Sequence, residues 1–357
     1  MAISPAKDVN VMSNNALIRP SELEARIPLS STAEQTVLEG RRQLEAVLNR
    51  EDERFAVIVG PCSIHDHKTA LDYAERLKPL ADRLSDRIML VMRVYFEKPR
   101  TTVGWKGLIY DPNLNDTYEI EDGLHRARKL LMEISEAGLY SATEFLDPIV
   151  PQYVADLVTW AAIGARTTES QIHRQMASGL SMPVGFKNGT DGDPQTAVDA
   201  LVAAATPQAF LGIDHEGQAS IVETRGNKNC HLVMRGGRSG TNFDARSIAV
   251  AEDALRKANA PLNVVVDCSH GNSNKDHTRQ RIAFEDVVSQ RMGGNDNLVG
   301  AMLESNINAG AQKLGPDPST LEYGVSITDS CIAWDETVDL LDWAYDRLGR
   351  EAAVAAN

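Results

Sequence analysis

Two sets of side chains in this sequence have types that suit chemistry, and neither set is contiguous. The first is cationic: Arg93, Lys98, Arg100, Arg166, Lys187 and Arg235. Guanidinium groups grip phosphate or carboxylate through a bidentate fork, and an ammonium does so as a point charge. Six cations around one cavity would repel one another severely unless an anion of high charge belonged there, so the set implies one or two phosphorylated substrates. Two Gly-rich turns, Asn188–Gly192 and Arg235–Gly240, would let backbone N–H groups approach such an anion. Neither fits G-x-x-x-x-G-K-[ST], so a nucleotide P-loop is not indicated. The second set is Cys62, His270 and Glu304, with Asp329 as a fourth candidate. Thiolate, imidazole and carboxylate together suit a divalent first-row metal, and the Cys and His argue against Mg²⁺. Each residue also has a bland reading, since most surface Arg and Lys do nothing chemical and most buried Cys only pack. The four ligand candidates match no short metal motif. They act together only if the fold gathers them.

The elements needed for that are visible. Short β-rich apolar runs occur at 55–60, 88–95, 139–145, 157–164, 182–187, 231–235, 263–268 and 298–304. Most are continuous rather than alternating, the pattern of parallel strands buried on both faces. Amphipathic segments lie between them, one carrying Ala70, Tyr73, Ala74, Leu77 and Leu80, another Leu124, Ala127, Leu131 and Ile134. Eight strands alternating with helices predict an α/β fold of the (β/α)₈ TIM-barrel type, with a doubly wound open sheet second because no G-x-G-x-x-G follows the first strand. In such a barrel the active site forms at the C-terminal strand ends. Those ends carry Cys62, Arg93, Glu144, Arg166, Lys187, Arg235, His270 and Glu304, so a barrel would bring the two sets to one rim.

No repeat, low-complexity tract or linker divides the chain. Residues 51–357 read as the barrel, and residues 1–50 as an N-terminal arm and helix with an oligomeric or regulatory role. The first thirty residues read as irregular. Ser31-Thr32-Ala33-Glu34 then reads as a capping box, opening a helix with Val37, Leu38, Leu44, Val47 and Leu48 on its apolar side. Segment 209–223, two apolar runs around His215–Gln218, reads as a hairpin inserted before the sixth strand. A final helix is expected with Val338, Leu341, Ala344, Tyr345 and Leu348 on one side.

The charge balance is acidic, 36 Lys plus Arg against 50 Asp plus Glu for a net −14, which disfavours nucleic acid as a partner. No run approaches a membrane span, and residues 1–20 lack the apolar core of a signal peptide, so a cytoplasmic chain without disulfides is expected.

Longer motifs carry a resemblance. Gly60–Asp66 (GPCSIHD), Arg93–Thr102 (RVYFEKPRTT), Trp105–Ile109 (WKGLI), Gly164–Ser170 (GARTTES), Gly185–Gly192 (GFKNGTDG), Arg235–Gly237, Asp267–Ser273 (DCSHGNS) and Ser326–Cys331 (SITDSC) occur in this order. Over residues 30–345 the chain resembles 3-deoxy-D-arabino-heptulosonate 7-phosphate (DAHP) synthases of the short bacterial and fungal class I type. The resemblance implies condensation of phosphoenolpyruvate with erythrose 4-phosphate, the first step of the shikimate pathway. It implies a divalent metal ion (Mn, Fe, Co or Zn) on Cys62, His270, Glu304 and Asp329. Arg93, Lys98, Ala165, Arg166, Lys187 and Arg235 would surround phosphoenolpyruvate, with Arg100 and Thr101 on the phosphate of the second substrate. Lys98 is the expected proton donor, Glu144 would position water, and His270 belongs to the catalytic set as a metal ligand. An aromatic amino acid effector is implied at Pro151, Gln152, Leu180, Ser181, Phe210, Gly212 and Val222. Gly212 stands where phenylalanine-sensitive members tend to carry Ser, which favours tyrosine. A homodimer or homotetramer is expected. The competing readings are the sibling synthase that uses arabinose 5-phosphate, a general metal-dependent aldolase, and a non-catalytic metal- or phosphate-binding relative. Lys98-Pro99-Arg100-Thr101 is the erythrose-phosphate form of its loop.

Overall fold

The computed structural model describes residues 6–349. In chain order the elements are α1 (Pro20–Arg26), α2 (Ser31–Leu48), β1 (Phe55–Gly60), α3 (His67–Leu84), β2 (Ile88–Arg93), α4 (Ile120–Glu136), β3 (Ser141–Glu144), α5 (Pro151–Val154) and β4 (Trp160–Ile163). There follow α6 (Gln171–Gly179), β5 (Val184–Lys187), α7 (Gln195–Ala204), β6 (Gln208–Ile213), β7 (Ala219–Thr224), β8 (Cys230–Met234), α8 (Ala245–Lys257), β9 (Val264–Asp267), α9 (Gln280–Met292), β10 (Leu298–Glu304) and α10 (Trp334–Leu348). Eight strands close into a parallel barrel in the order β1-β10-β9-β8-β5-β4-β3-β2, while β6 and β7 form a separate antiparallel pair. The fold is a (β/α)₈ barrel carrying an inserted hairpin.

The apolar runs are continuous because both strand faces are covered. Phe55, Val57 and Val59 of β1 pack outward with the helices. Ala56 and Ile58 instead join Met89, Val91, Ala142, Trp160, Ala162, Val233, Val265, Val299 and Met302 inside the barrel. Leu44, Val47 and Leu48 of α2 belong to that inner cluster, so the end of α2 closes the floor of the barrel. Tyr95, just beyond β2, belongs to it as well and sits at the opposite, C-terminal rim.

Several local expectations differ. The side chain capping α2 is Ser30, which accepts from the Ala33 amide, and Ser31 is already helical, so the reciprocal Ser31–Glu34 box does not form. Leu38 is exposed. The arm before α2 contains a short helix, α1, with Pro20 in its first turn, where its missing N–H costs nothing. The strands β2 and β4 are shorter than their apolar runs. After Arg93 the chain leaves the sheet, and Ala155–Leu157 forms a 3₁₀ turn before β4.

The hairpin and the arm meet. The Ser21 amide donates to the His215 carbonyl at 3.0 Å, and Arg19 pairs with Glu216 at 3.5 Å. Tyr153 Oη of α5 donates to the Ile18 carbonyl at 2.6 Å, so the arm spans from α5 to the hairpin tip. Among the described residues no helix is long and apolar enough to cross a membrane.

Candidate active site

The strand registers bring the candidate residues to one rim. Gly60 pairs with Glu304 across β1 and β10, Met302 with Asp267 across β10 and β9, and Lys187 with Val233 across β5 and β8. Cys62 follows β1 by two residues and is completely buried. Its Sγ, one Glu304 carboxylate oxygen and one Asp329 carboxylate oxygen lie within 4.8 Å of one another. His270 Nε2 faces this group, 3.7 Å from both Glu304 Oε1 and Asp329 Oδ2. Glu304 Oε2 is buried and has no hydrogen-bond partner among the described residues. A buried carboxylate oxygen left open beside a thiol, an imidazole and a second carboxylate fits a divalent cation, because such an orphan is otherwise costly.

The cations surround that anionic cluster. Arg93 is fully buried, pairs with Glu304 at 3.1 Å and lies 3.9 Å above the Tyr95 ring. Burial would lower the Arg93 pKa, but Tyr95, Glu304 and Asp267 outweigh it and raise it. Lys98 Nζ is 3.2 Å from both Cys62 Sγ and the Cys62 carbonyl. Burial opposes its charge too, yet Cys62, Glu304 and Asp329 raise its pKa. Burial, then the Glu304 charge, pushes the Cys62 thiol up to about 11, so a thiolate here needs a compensating cation. Asp329 is lowered: burial works against this, and His270, Lys98, Lys275 and Arg100 prevail.

Lys187 is buried and lies 3.1 Å from Asp267 and 3.7 Å from Glu144. Gly164 makes room for Glu144, since a Cβ there would overlap the carboxylate. Arg100, Thr101 and Arg166 are exposed, with Ala165 half-buried between Gly164 and Arg166. Arg166 donates to Thr101 Oγ1 at 3.4 Å, and Arg100 donates to the Trp105 carbonyl at 2.8 Å. One cleft of about 380 Å³ is lined by Lys98, Pro99, Arg100, Lys106, Tyr110 and Arg166. Arg235 is half-buried, and among the described residues its guanidinium donates only to the Gly236 carbonyl, at 3.2 Å.

Two expectations are corrected. The six cations do not simply repel one another, because Glu304, Glu144 and Asp267 interleave with the buried pair Arg93 and Lys187. The cations without a carboxylate partner among the described residues are Lys98, Arg100, Arg166 and Arg235, and these point to the anionic ligands. The glycines of the 235–240 turn do not offer amides to an anion. Each backbone N–H from Arg235 to Gly240 already has a protein acceptor. Gly236, Gly237 and Gly271 instead let the loops after β5, β8 and β9 interlock: a Cβ on Gly237 would overlap the backbone of Asp191 and Gly192, and one on Gly271 would lie 2.6 Å from the Gly237 nitrogen.

Sequence reasoning overlooked Asp267, Tyr95 and Glu97. Asp267 ends β9 and is fully buried. Burial would raise its pKa, but His270, Lys187 and Arg93 hold it well below the carboxylate range. An acid closing an otherwise Val-only strand was the available signal. Glu97 accepts from the Leu146 and Asp147 amides at 3.2 and 3.0 Å, tying the Lys98 loop to the loop after β3, and burial pushes it up to about 8. Asp66, at the end of the GPCSIHD motif, caps α3 by accepting from the Lys68 and Thr69 amides.

Of the effector candidates, Phe210 and Val222 pair across the hairpin, and a Cβ on Gly212 would lie 2.8 Å from Val222 Cγ2. Leu180 and Ser181 follow α6, which packs against both hairpin strands. Pro151 and Gln152 open α5, linked to the hairpin tip through the N-terminal arm.

The model of the DAHP synthetase I family matches residues 27–342. The tyrosine-sensitive phospho-2-dehydro-3-deoxyheptonate aldolase of Escherichia coli K12 is 50% identical over 334 residues, 94% of each chain. The tryptophan-sensitive one from the same strain is 50% identical over 328 residues, 92% of this chain and 93% of its own. A solved phospho-2-dehydro-3-deoxyheptonate aldolase from Francisella tularensis superposes with a TM-score of 0.93 at 46% identity, covering 95% of this chain and 98% of that one.

Proposed function

Because the chain belongs to the DAHP synthetase I family, we propose that it condenses phosphoenolpyruvate with erythrose 4-phosphate and water to give DAHP and phosphate. The observation that carries this reading is the single rim on which Cys62, Glu304, Asp329 and His270 adjoin Arg93, Lys98 and Lys187. Cys62, His270, Glu304 and Asp329 would hold a divalent ion of the Mn, Fe, Co or Zn kind, which when bound supplies Lewis-acid polarisation of an aldehyde oxygen.

The chain's own residues account for the rest. Arg93, Arg166, Lys187 and Arg235 hold the carboxylate and phosphate of phosphoenolpyruvate, beside Ala165. Arg100 and Thr101 hold the phosphate of the aldose, and rigid Pro99 separates the two duties of Lys98 and Arg100. With both substrates fixed, C3 of phosphoenolpyruvate bonds to the aldehyde carbon, and the aldehyde oxygen takes a proton from Lys98 Nζ. Glu144, 3.7 Å from Lys187 Nζ, orients the water that adds at C2. One proton of that water restores Lys98, and as the C2–O bond to phosphate breaks the other leaves with the phosphate, giving the C2 carbonyl. Arg93 and Lys187 keep their positions through their carboxylate partners, so little reorganisation accompanies the charge movement.

The arm (1–50) and hairpin (about 209–223) form a regulatory attachment to the 51–357 barrel, supported by the Ser21–His215 and Arg19–Glu216 contacts. Overall likeness does not select the effector, since tyrosine- and tryptophan-sensitive relatives are both 50% identical. Gly212, standing where phenylalanine-sensitive members tend to carry Ser, favours tyrosine, bound among Pro151, Gln152, Leu180, Ser181, Phe210 and Val222. Exposed Leu211 and Ile221 on the outer hairpin face support a homodimer or homotetramer, which sedimentation would test. Chelator-treated enzyme should lose turnover and regain it with Mn²⁺, and Cys62→Ala should lower both metal affinity and turnover. Full turnover without metal would overturn the reading.

A further inference from the structure

We propose that Ser269 and Asp267 act as positioning residues that fix the tautomer and direction of the His270 imidazole. This rests on the reading of Cys62, His270, Glu304 and Asp329 as a metal centre. The three residues follow one another at the end of β9. Asp267 is fully buried and Ser269 nearly so. His270 adopts a left-handed backbone, φ +53°, which few residues other than glycine take up and which must be held in place by its surroundings. Its carbonyl accepts from the Lys275 amide at 2.8 Å and from Ser273 Oγ at 3.3 Å.

The proton positions follow from counting donors. Asp267 Oδ2 is 3.1 Å from Lys187 Nζ, so the carboxylate is ion-paired and can only accept. Its Oδ1 accepts from the Ser269 amide at 3.1 Å and lies 2.6 Å from Ser269 Oγ. Ser269 has one hydroxyl proton, and the carboxylate takes it. Ser269 Oγ is also 2.7 Å from His270 Nδ1 and has only a lone pair left to offer. His270 Nδ1 must therefore carry a proton and donate it. Asp267 Oδ2, 3.1 Å from the same nitrogen, makes no hydrogen bond among the described residues but its charge favours a proton there. The opposite tautomer would set an Nδ1 lone pair against a carboxylate and ask one serine proton to serve two acceptors.

With Nδ1 protonated, the neutral ring has its lone pair at Nε2, the atom 3.7 Å from Glu304 Oε1 and Asp329 Oδ2. The Ser269–Asp267 relay thus aims a ligand-competent nitrogen at the cluster. Since Asp267 also holds Lys187, one buried carboxylate sets both a metal ligand and a phosphoenolpyruvate cation. Deleting the serine hydroxyl removes the near acceptor of Nδ1–H and frees the ring to turn.

The test uses the full chain, stripped of metal and titrated with Mn²⁺ alone by calorimetry. Ser269→Ala should bind Mn²⁺ about 10-fold more weakly than the unchanged protein, the size expected for losing an outer hydrogen bond to a ligand. A second measurement needs no variant. In the Zn²⁺-loaded protein with ¹⁵N-labelled histidine, the His270 resonances should report a protonated Nδ1 and a coordinated Nε2. Equal Mn²⁺ affinity in a folded Ser269→Ala protein, or an unprotonated Nδ1, would overturn the relay while leaving the metal centre standing. Failure of the unchanged protein to bind any divalent ion would instead overturn the metal centre itself.

Discussion

Arg93 and a bound cation are alternative ways of neutralising Glu304, and this makes a sharp prediction for Arg93→Met. Both partners are essentially inaccessible to solvent, and the ion pair is 3.1 Å long. Arg93 pairs with Glu304 Oε1, and Oε2 has no hydrogen-bond partner among the described residues, so removing the guanidinium leaves the buried carboxylate with only the His270 ring, at 3.7 Å, facing it. Breaking a buried pair in this way costs about 3–5 kcal/mol. The 3.9 Å stacking of Arg93 on Tyr95 is lost too, though the methionine stem retains apolar contact. For a chain of 357 residues the unfolding entropy converts each kcal/mol into ~1–2 °C, so the metal-free variant should melt ~4–7 °C below the metal-free parent. Metal binding would supply Glu304 with a new counter-charge. Saturating Mn²⁺ should therefore raise the variant's melting temperature by more than it raises the parent's, narrowing the gap. Scanning calorimetry of both proteins, with and without Mn²⁺, reads the four values needed. A metal-free variant melting within about 1 °C of the parent, or a metal increment equal in both, would refute the shared neutralisation of Glu304.

Other expectations are independent of that pair. His231 lies inside the barrel, accepting from Trp160 Nε1 at 3.0 Å, and burial lowers it from the ordinary 6.5 to about 4. A depressed histidine binds its proton more readily when unfolded. Stability should thus fall as pH drops from about 6.5 to about 4, by at most ~3 kcal/mol, and His231→Leu should flatten that limb in denaturant titrations. Gly237→Ala forces a Cβ into the backbone of Asp191 and Gly192; it should cost about 1–3 kcal/mol or more and lower turnover, because Lys187 and Arg235 flank the separated loops. Wild-type melting and turnover would refute the interlock. Gly212→Ser should weaken tyrosine inhibition about 10-fold in activity titrations, and inhibition of the parent by phenylalanine alone would sink the tyrosine assignment.

The barrel was legible because its strands are buried on both faces and its helices are amphipathic, so periodicity reports them directly. The strand ends then gathered Cys62, Glu304, Asp329 and His270, which no spacing rule joins. Polar interactions beneath the rim were less legible. Nothing in the string Val264–Asp267 says that Asp267 meets Lys187 from another strand, because that pairing depends on register across β5, β8 and β9. The glycines of the 235–240 turn suggest an anion cradle because glycine serves close approach of any kind, and only the fold shows that the approaching group is another loop. Ser30 and Ser31 could each have capped α2, and a one-residue choice of this sort turns on backbone geometry.

The most direct test of the proposed reaction is phosphate release from phosphoenolpyruvate by the Mn²⁺-loaded protein, offered erythrose 4-phosphate in one reaction and arabinose 5-phosphate in another. Rapid release with erythrose 4-phosphate, abolished by chelation and negligible with arabinose 5-phosphate, is the predicted result. No release with erythrose 4-phosphate, or faster release with the five-carbon sugar, would contradict it.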